Sequence, residues 1–153
     1  RINKEILLAA LLIDEKDNHE YFAHKYNIAS KLKKSLENLA HNLKNFKKDK
    51  NFLEKDLIKN IYIYGKNHLI ALILINFSMN AKINIQEFSK SLNKILKTNI
   101  PKFHINGDYL KKNGMVEGEA LGKVLNAIEK EWIDNSFSIS KNRIVEIIKA
   151  NSN

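Results

Sequence analysis

Lys111 and Lys112, set inside a cluster of glycines, are the side chains whose type and spacing best suit a chemical task in this chain. Gly107, Gly114, Gly118 and Gly122 lie seven, four and four residues apart, and they are four of only five glycines present. Glycine costs a helix about 1 kcal/mol relative to alanine, so the cluster marks turns, caps or close backbone approach. Such positions let a phosphate backbone come near, and a helix N-terminus adds amide donors and partial positive charge. A helix beginning near Glu117 would offer that end, with Glu117 and Glu119 weakening its field. Gly118 and Gly122, one turn apart, have a competing structural role: they are expected to let a second helix pack at short distance.

The other reactive side chains do not converge. The histidines are His19, His24, His41, His68 and His104, with no His-Glu-x-x-His spacing among them. His19 and His24, five apart, fall on different helix faces, and His68 beside an apolar run reads as a helix-end or half-buried histidine. Zinc needs converging nitrogen or sulfur ligands, so no metal site is expected. Glu117 and Glu119, like Glu129 and Glu131, are two apart and diverge on a helix, which suits a solvated surface and not an acid–base pair. A phosphate-binding loop needs Gly-x-x-x-x-Gly-Lys-Ser/Thr, and no segment has it. No catalytic residue is expected.

Charge points outward to a partner. The 153 residues carry a formal net charge of +9, and basic surface attracts polyanions through its summed potential. All basic residues except Arg1 and Arg143 are lysine, in a chain also rich in Asn and Ile, and a compositional bias of the genome can produce the same profile. Lys31, Lys33 and Lys34 surround one helical turn, and Lys47, Lys48 and Lys50 fall in a polar connection; either group reads as a solvated face or a contact surface. The candidate RNA-binding cations are Lys111, Lys112, Lys123, Lys130, Lys141 and Arg143. Cysteine is absent, so neither disulfides nor thiolate chemistry are available, which suits a reducing cytoplasm. The apolar runs at 6–13 and 69–75 fall short of the ~18 residues of a membrane span and read as buried helix.

The elements that must position these residues are helical. Ile28, Leu32, Leu36, Leu39, Leu43 and Phe46 make one stripe; Ile85, Phe88, Leu92, Ile95 and Leu96 make another. Residues 52–64 and 66–79 read as two helices divided near Gly65. Over 118–132, Leu121, Val124, Leu125, Ile128 and Trp132 share a side with Lys123 and Lys130 nearly opposite. Trp132 continues that stripe and reads as core, base stacking being the alternative. Ser140 is placed to cap a last helix over 140–150 with Ile144, Ile147 and Ile148 on its apolar face. Pro101 biases Ile100 away from helix. The expectation is an all-α multi-helix array in two parts, 1–98 and 99–153, the second holding the glycine-rich module.

Gly107, Leu110, Gly114, Gly118, Leu121-Gly122, Leu125, Trp132-Ile133 and Phe137 together resemble the C-terminal end of bacterial class II tRNA nucleotidyltransferases. These are the CCA-adding enzymes, which share a family with bacterial poly(A) polymerases. The likeness is strongest over residues 103–137. It departs at Gly107-Asp108-Tyr109-Leu110, where the carboxylate arrives one position early; Asp108 or Asn106 would then cap the following helix. The resemblance implies a non-catalytic, tRNA-binding body and tail, with 1–98 including the end of the neck. It places the chemistry, using magnesium with CTP or ATP, in an N-terminal head not recognisable here. The chain opens at Arg1 in mid-pattern and reads as part of something longer. The alternatives are a poly(A) polymerase tail holding RNA 3′ regions, or a helical protein-interaction module.

Overall fold

The computed structural model describes residues 4–49, 51–80 and 84–151. Arg1, and Lys50 of the expected lysine cluster, lie outside them. The described residues form helices and no strand, the all-α class expected. They comprise α1 (Lys4–Leu12), α2 (Asn18–Lys25), α3 (Ser30–Lys48), α4 (Leu57–Tyr64), α5 (Lys66–Met79), α6 (Ile85–Lys97), α7 (Gly107–Lys112), α8 (Glu119–Asp134) and α9 (Lys141–Ala150). The chain divides into two compact units, Arg1–Ile100 and Pro101–Asn153.

In the first unit α5 is the central helix. Leu69, Ala71, Leu72, Ile73 and Ile75 are buried around its circumference, and a helix apolar on all sides must be surrounded. α1, α3, α4 and α6 all pack against it. Leu36, Leu39 and Leu43 of α3 are buried in the same core, with Leu32 and Phe46 partly buried against it. Each fully buried Leu or Ile stabilises by about 1.5–3 kcal/mol relative to exposure. Gly65, at φ +83°, breaks the chain between α4 and α5.

Four expectations need correcting; Lys47 and Lys48, expected in a polar connection, lie in the last turn of α3. The segment predicted as helix from residue 52 is a run of turns as far as 56, and α4 starts at Leu57. Side chains hold the backbone groups of this turn: Asn60 Nδ2 donates to the Phe52 carbonyl (2.9 Å) and Lys94 Nζ to the Leu53 carbonyl (2.7 Å). At its start the Asn51 amide donates to Asp49 Oδ1, so local side-chain bonds compete with the helix ladder. The 6–13 run is buried on one side only. Ile6, Ala9 and Ile13 point into the core while Leu7 and Leu11 are 47% and 81% exposed. The α6 stripe is likewise narrower than expected, because Ile95 is buried whereas Ile85 and Leu96 face solvent.

His68 belongs to this scaffold. It is partly buried in the first turn of α5, its ring stacks on Tyr64, and Asn42 Nδ2 lies 3.0 Å from its Nε2. With the amide donating, Nε2 is an acceptor and the ring is neutral. Burial lowers its pKa below the ordinary 6.5. A folded-state value below the unfolded one means the unfolded chain binds more protons between the two. The contribution is therefore fully present above the unfolded pKa and is lost as pH falls through the folded one. The first unit's thermal midpoint should fall on acidification from about pH 7.5 to 5.5, and His68→Gln should flatten that slope, as followed by circular dichroism. An unchanged slope in the variant would remove His68 from the account.

Candidate nucleic-acid interface

The second unit is built from α7, α8 and α9 on a core of Leu110, Met115, Val124, Ile128, Ile144 and Ile148. Both α7 and α9 pack on α8. Asn106 begins α7, its side chain accepting from the Tyr109 amide at 3.0 Å, so Asn106 and not Asp108 is the cap. α7 ends on Gly114 at φ +96°. There the Gly114 amide donates to the Lys111 carbonyl and the Met115 amide to that of Leu110. This is the paired bonding of a Schellman cap, closed by Leu110 and Met115 in the same apolar cluster. Gly118, at φ +151°, precedes the first turn of α8.

The short-range helix packing expected of Gly118 and Gly122 is not there. A methyl group added at either would meet nothing within 4 Å. Gly114 and Gly118 serve backbone conformations that side chains disfavour, and Gly122 is exposed within α8. Gly107 is the position closest to a neighbour, with Leu121 Cδ2 at 3.4 Å from such a methyl.

The candidate cations separate into two groups. Lys111 Nζ is 2.9 Å from Glu117 Oε2, and Lys123 Nζ is 2.8 Å from Glu119 Oε1. Their hydrogen bond and charge raise the Lys111 pKa and hold the Glu117 carboxyl below its usual range. The two lysines nearest the α8 N-terminus thus accompany the carboxylates there, which leaves little field for an anion. Arg143 grips Glu131 with Nε and Nη2 (2.8 and 3.2 Å) and Glu146 with Nη1 (3.0 Å), and its pKa is raised accordingly. It ties α9 to α8, while Ser140 Oγ caps α9 at the Arg143 amide. Lys112, Lys130 and Lys141 are exposed and make no ion pair among the described residues.

Lys141 also lines a cavity of about 390 Å³ walled by Phe103, Tyr109, Trp132 and Phe137. Lys102 and His104, both exposed, border it as well. The Phe103 ring lies tilted 5.2 Å from Trp132, and Phe137 meets Trp132 edge-on at 4.9 Å. Trp132 is only 8% exposed, so most of it is core, as its place in the stripe implied. Sequence reading missed Lys102, Phe103 and His104 as a group. The available signal was strand-like alternation after Pro101: Phe103 and Ile105 turn inward, Lys102 and His104 outward. Phe137, noted in sequence only as part of the resemblance, reaches the cavity through a turn in which Ser136 (φ 55°) and Phe137 (φ 63°) are both left-handed.

In comparisons with known proteins, no family model, curated protein or solved structure matches the chain. Among the described residues no group of three or more His, Asp or Glu side chains is placed to hold a metal ion, and no helix is long and apolar enough to cross a membrane.

The glycines give a divided prediction. Gly122→Ala should stabilise the second unit by up to about 1 kcal/mol, since it adds a methyl in open space. Gly118→Ala and Gly114→Ala should each cost about 1 kcal/mol or more. Urea denaturation followed by Trp132 fluorescence measures all three, and destabilisation by Gly122→Ala would restore the packing role.

Proposed function

We propose that this chain is the RNA-gripping, non-catalytic helical region of a tRNA nucleotidyltransferase of the CCA-adding kind. The observation that carries the RNA part is the set of lysines left over after ion pairing. In the second unit Lys102, Lys112, Lys130, Lys141 and Lys149 are exposed and make no ion pair among the described residues, and two of them border an aromatic cavity. Lysines without carboxylate partners are free to displace counterions from phosphates. They would position RNA through its backbone and shape without reading sequence. The enzyme type rests on the Gly107–Phe137 pattern alone. On this reading nucleotide addition, with magnesium and CTP or ATP, belongs to a separate catalytic head, and a cytoplasmic location goes with tRNA as the partner. A poly(A) polymerase tail differs in the RNA it holds, so preference for a 3′-extended single strand over tRNA favours that alternative.

A protein-interaction module is the second reading, favoured by Leu7 and Leu11, one turn apart and exposed on α1.

Fluorescence anisotropy with labelled tRNA tests the proposal. Affinity should fall steeply between about 50 and 200 mM salt, and Lys112→Glu and Lys130→Glu should each reduce the log–log slope by about 1. Lys111→Gln should change affinity much less, because that lysine is already held by Glu117. A flat salt response, or equal binding of an unstructured RNA of the same length, would count against tRNA recognition.

A further inference from the structure

The geometry points to the cavity of the second unit as the seat of a single unpaired RNA nucleotide, its base against the aromatic walls and its flanking phosphates toward Lys102 and Lys141. The inference rests on the RNA-binding reading and adds to it a defined subsite. Its volume, about 390 Å³, is within the range of roughly 300–1,000 Å³ typical of small-ligand sites. The walls are aromatic, and the rings lie tilted or edge-on to one another. Phe103 and Tyr109 are each only partly buried where they line it, so part of their ring surface is open to the cavity for a flat π-system to pack on.

The occupant must satisfy the border as well as the floor. Lys102 and Lys141 make no ion pair among the described residues, and no Asp or Glu lines the cavity. Two cations on the border favour an occupant that carries negative charge beside its flat surface. A nucleotide supplies flat base and flanking phosphates together. His104 and Ser138, exposed along the same border, can donate to or accept from a base edge. Ser136 and Phe137 hold left-handed conformations that L-residues disfavour, and this turn is what brings the Phe137 ring to Trp132. A base stacked in a duplex cannot enter, so the nucleotide belongs to a single strand, loop or bulge.

Trp132 is the only tryptophan of the chain, so its emission reports on this cavity. The full chain is titrated with hexa-adenylate RNA and with an abasic hexamer of the same ribose-phosphate backbone. Both should bind through charge, and hexa-adenylate alone should quench Trp132 saturably. Phe103→Leu, with helicity checked by circular dichroism, should weaken hexa-adenylate roughly tenfold and leave the abasic hexamer unchanged. If that variant does not fold, Lys102→Gln/Lys141→Gln replaces it, with weaker binding and retained quenching at saturation expected. Hexa-adenylate binding with Trp132 emission unchanged overturns the subsite and leaves the RNA reading standing. Failure of both oligomers and of tRNA to bind at about 50 mM salt overturns the RNA reading itself. Quenching by an acidic phenylalanine-containing peptide, with none by hexa-adenylate, also overturns the subsite and assigns the cavity to protein.

Discussion

Every helix in this protein must hide its apolar residues, and the width of each apolar surface decides where that helix can sit. α5 is apolar around its whole circumference, and Leu69, Leu72 and Ile75 have no exposed surface at all. It can be satisfied only at the centre of a ring of neighbours, which α1, α3, α4 and α6 provide. The narrower stripes of α8 and α9 need fewer neighbours: α8 packs against α7 and α9, and Ile128, Ile144 and Ile148 meet in a smaller core. The remaining features of both units are arranged on these two burials.

Ion pairing then determines what the surface can offer. A basic excess does not by itself make a binding face, because a lysine beside a carboxylate gives a phosphate little net field. Lys47 is held by Glu15, Lys94 lies near Glu54, and Arg143 is shared between Glu131 and Glu146. These contacts are exposed and add little stability; their consequence is selective. They remove particular cations from the available set and leave others, Lys102 and Lys141 among them, next to aromatic rings. Three of the six cations singled out by sequence belong to the removed group.

The glycine cluster shows how one compositional signal can hide several causes. Spacing four apart suggested close helix packing at Gly118 and Gly122, but the same spacing results when a cap, a turn and an exposed helical glycine follow each other. Only backbone angles and the space beside each Cα separate these cases. Gly114 and Gly118 have positive φ, and Gly122 does not.

Much of the fold was legible because it is decided by contacts between residues three or four apart. The stripes of α3 and α8, the break at Gly65 and the cap at Ser140 all follow from local geometry and were read correctly, and the structure decides between Asp108 and Asn106 as the α7 cap in favour of Asn106. The start of α4 was not, since it depends on Asn60 and Lys94 reaching the carbonyls of Phe52 and Leu53. The site was less legible than the fold. Lys123 and Glu119 pair through helix spacing alone, but other cations are taken up by carboxylates that packing brings close, across 32 residues for Lys47 and Glu15 and across 12 for Arg143 and Glu131. The aromatic cavity likewise joins the segment after Pro101 to the end of α8 and the start of α9. By itself the sequence determined helices and their inward faces, because periodicity is a property of neighbours along the chain. Tertiary structure alone decided which charges and rings share a surface, because their encounter depends on how those faces meet.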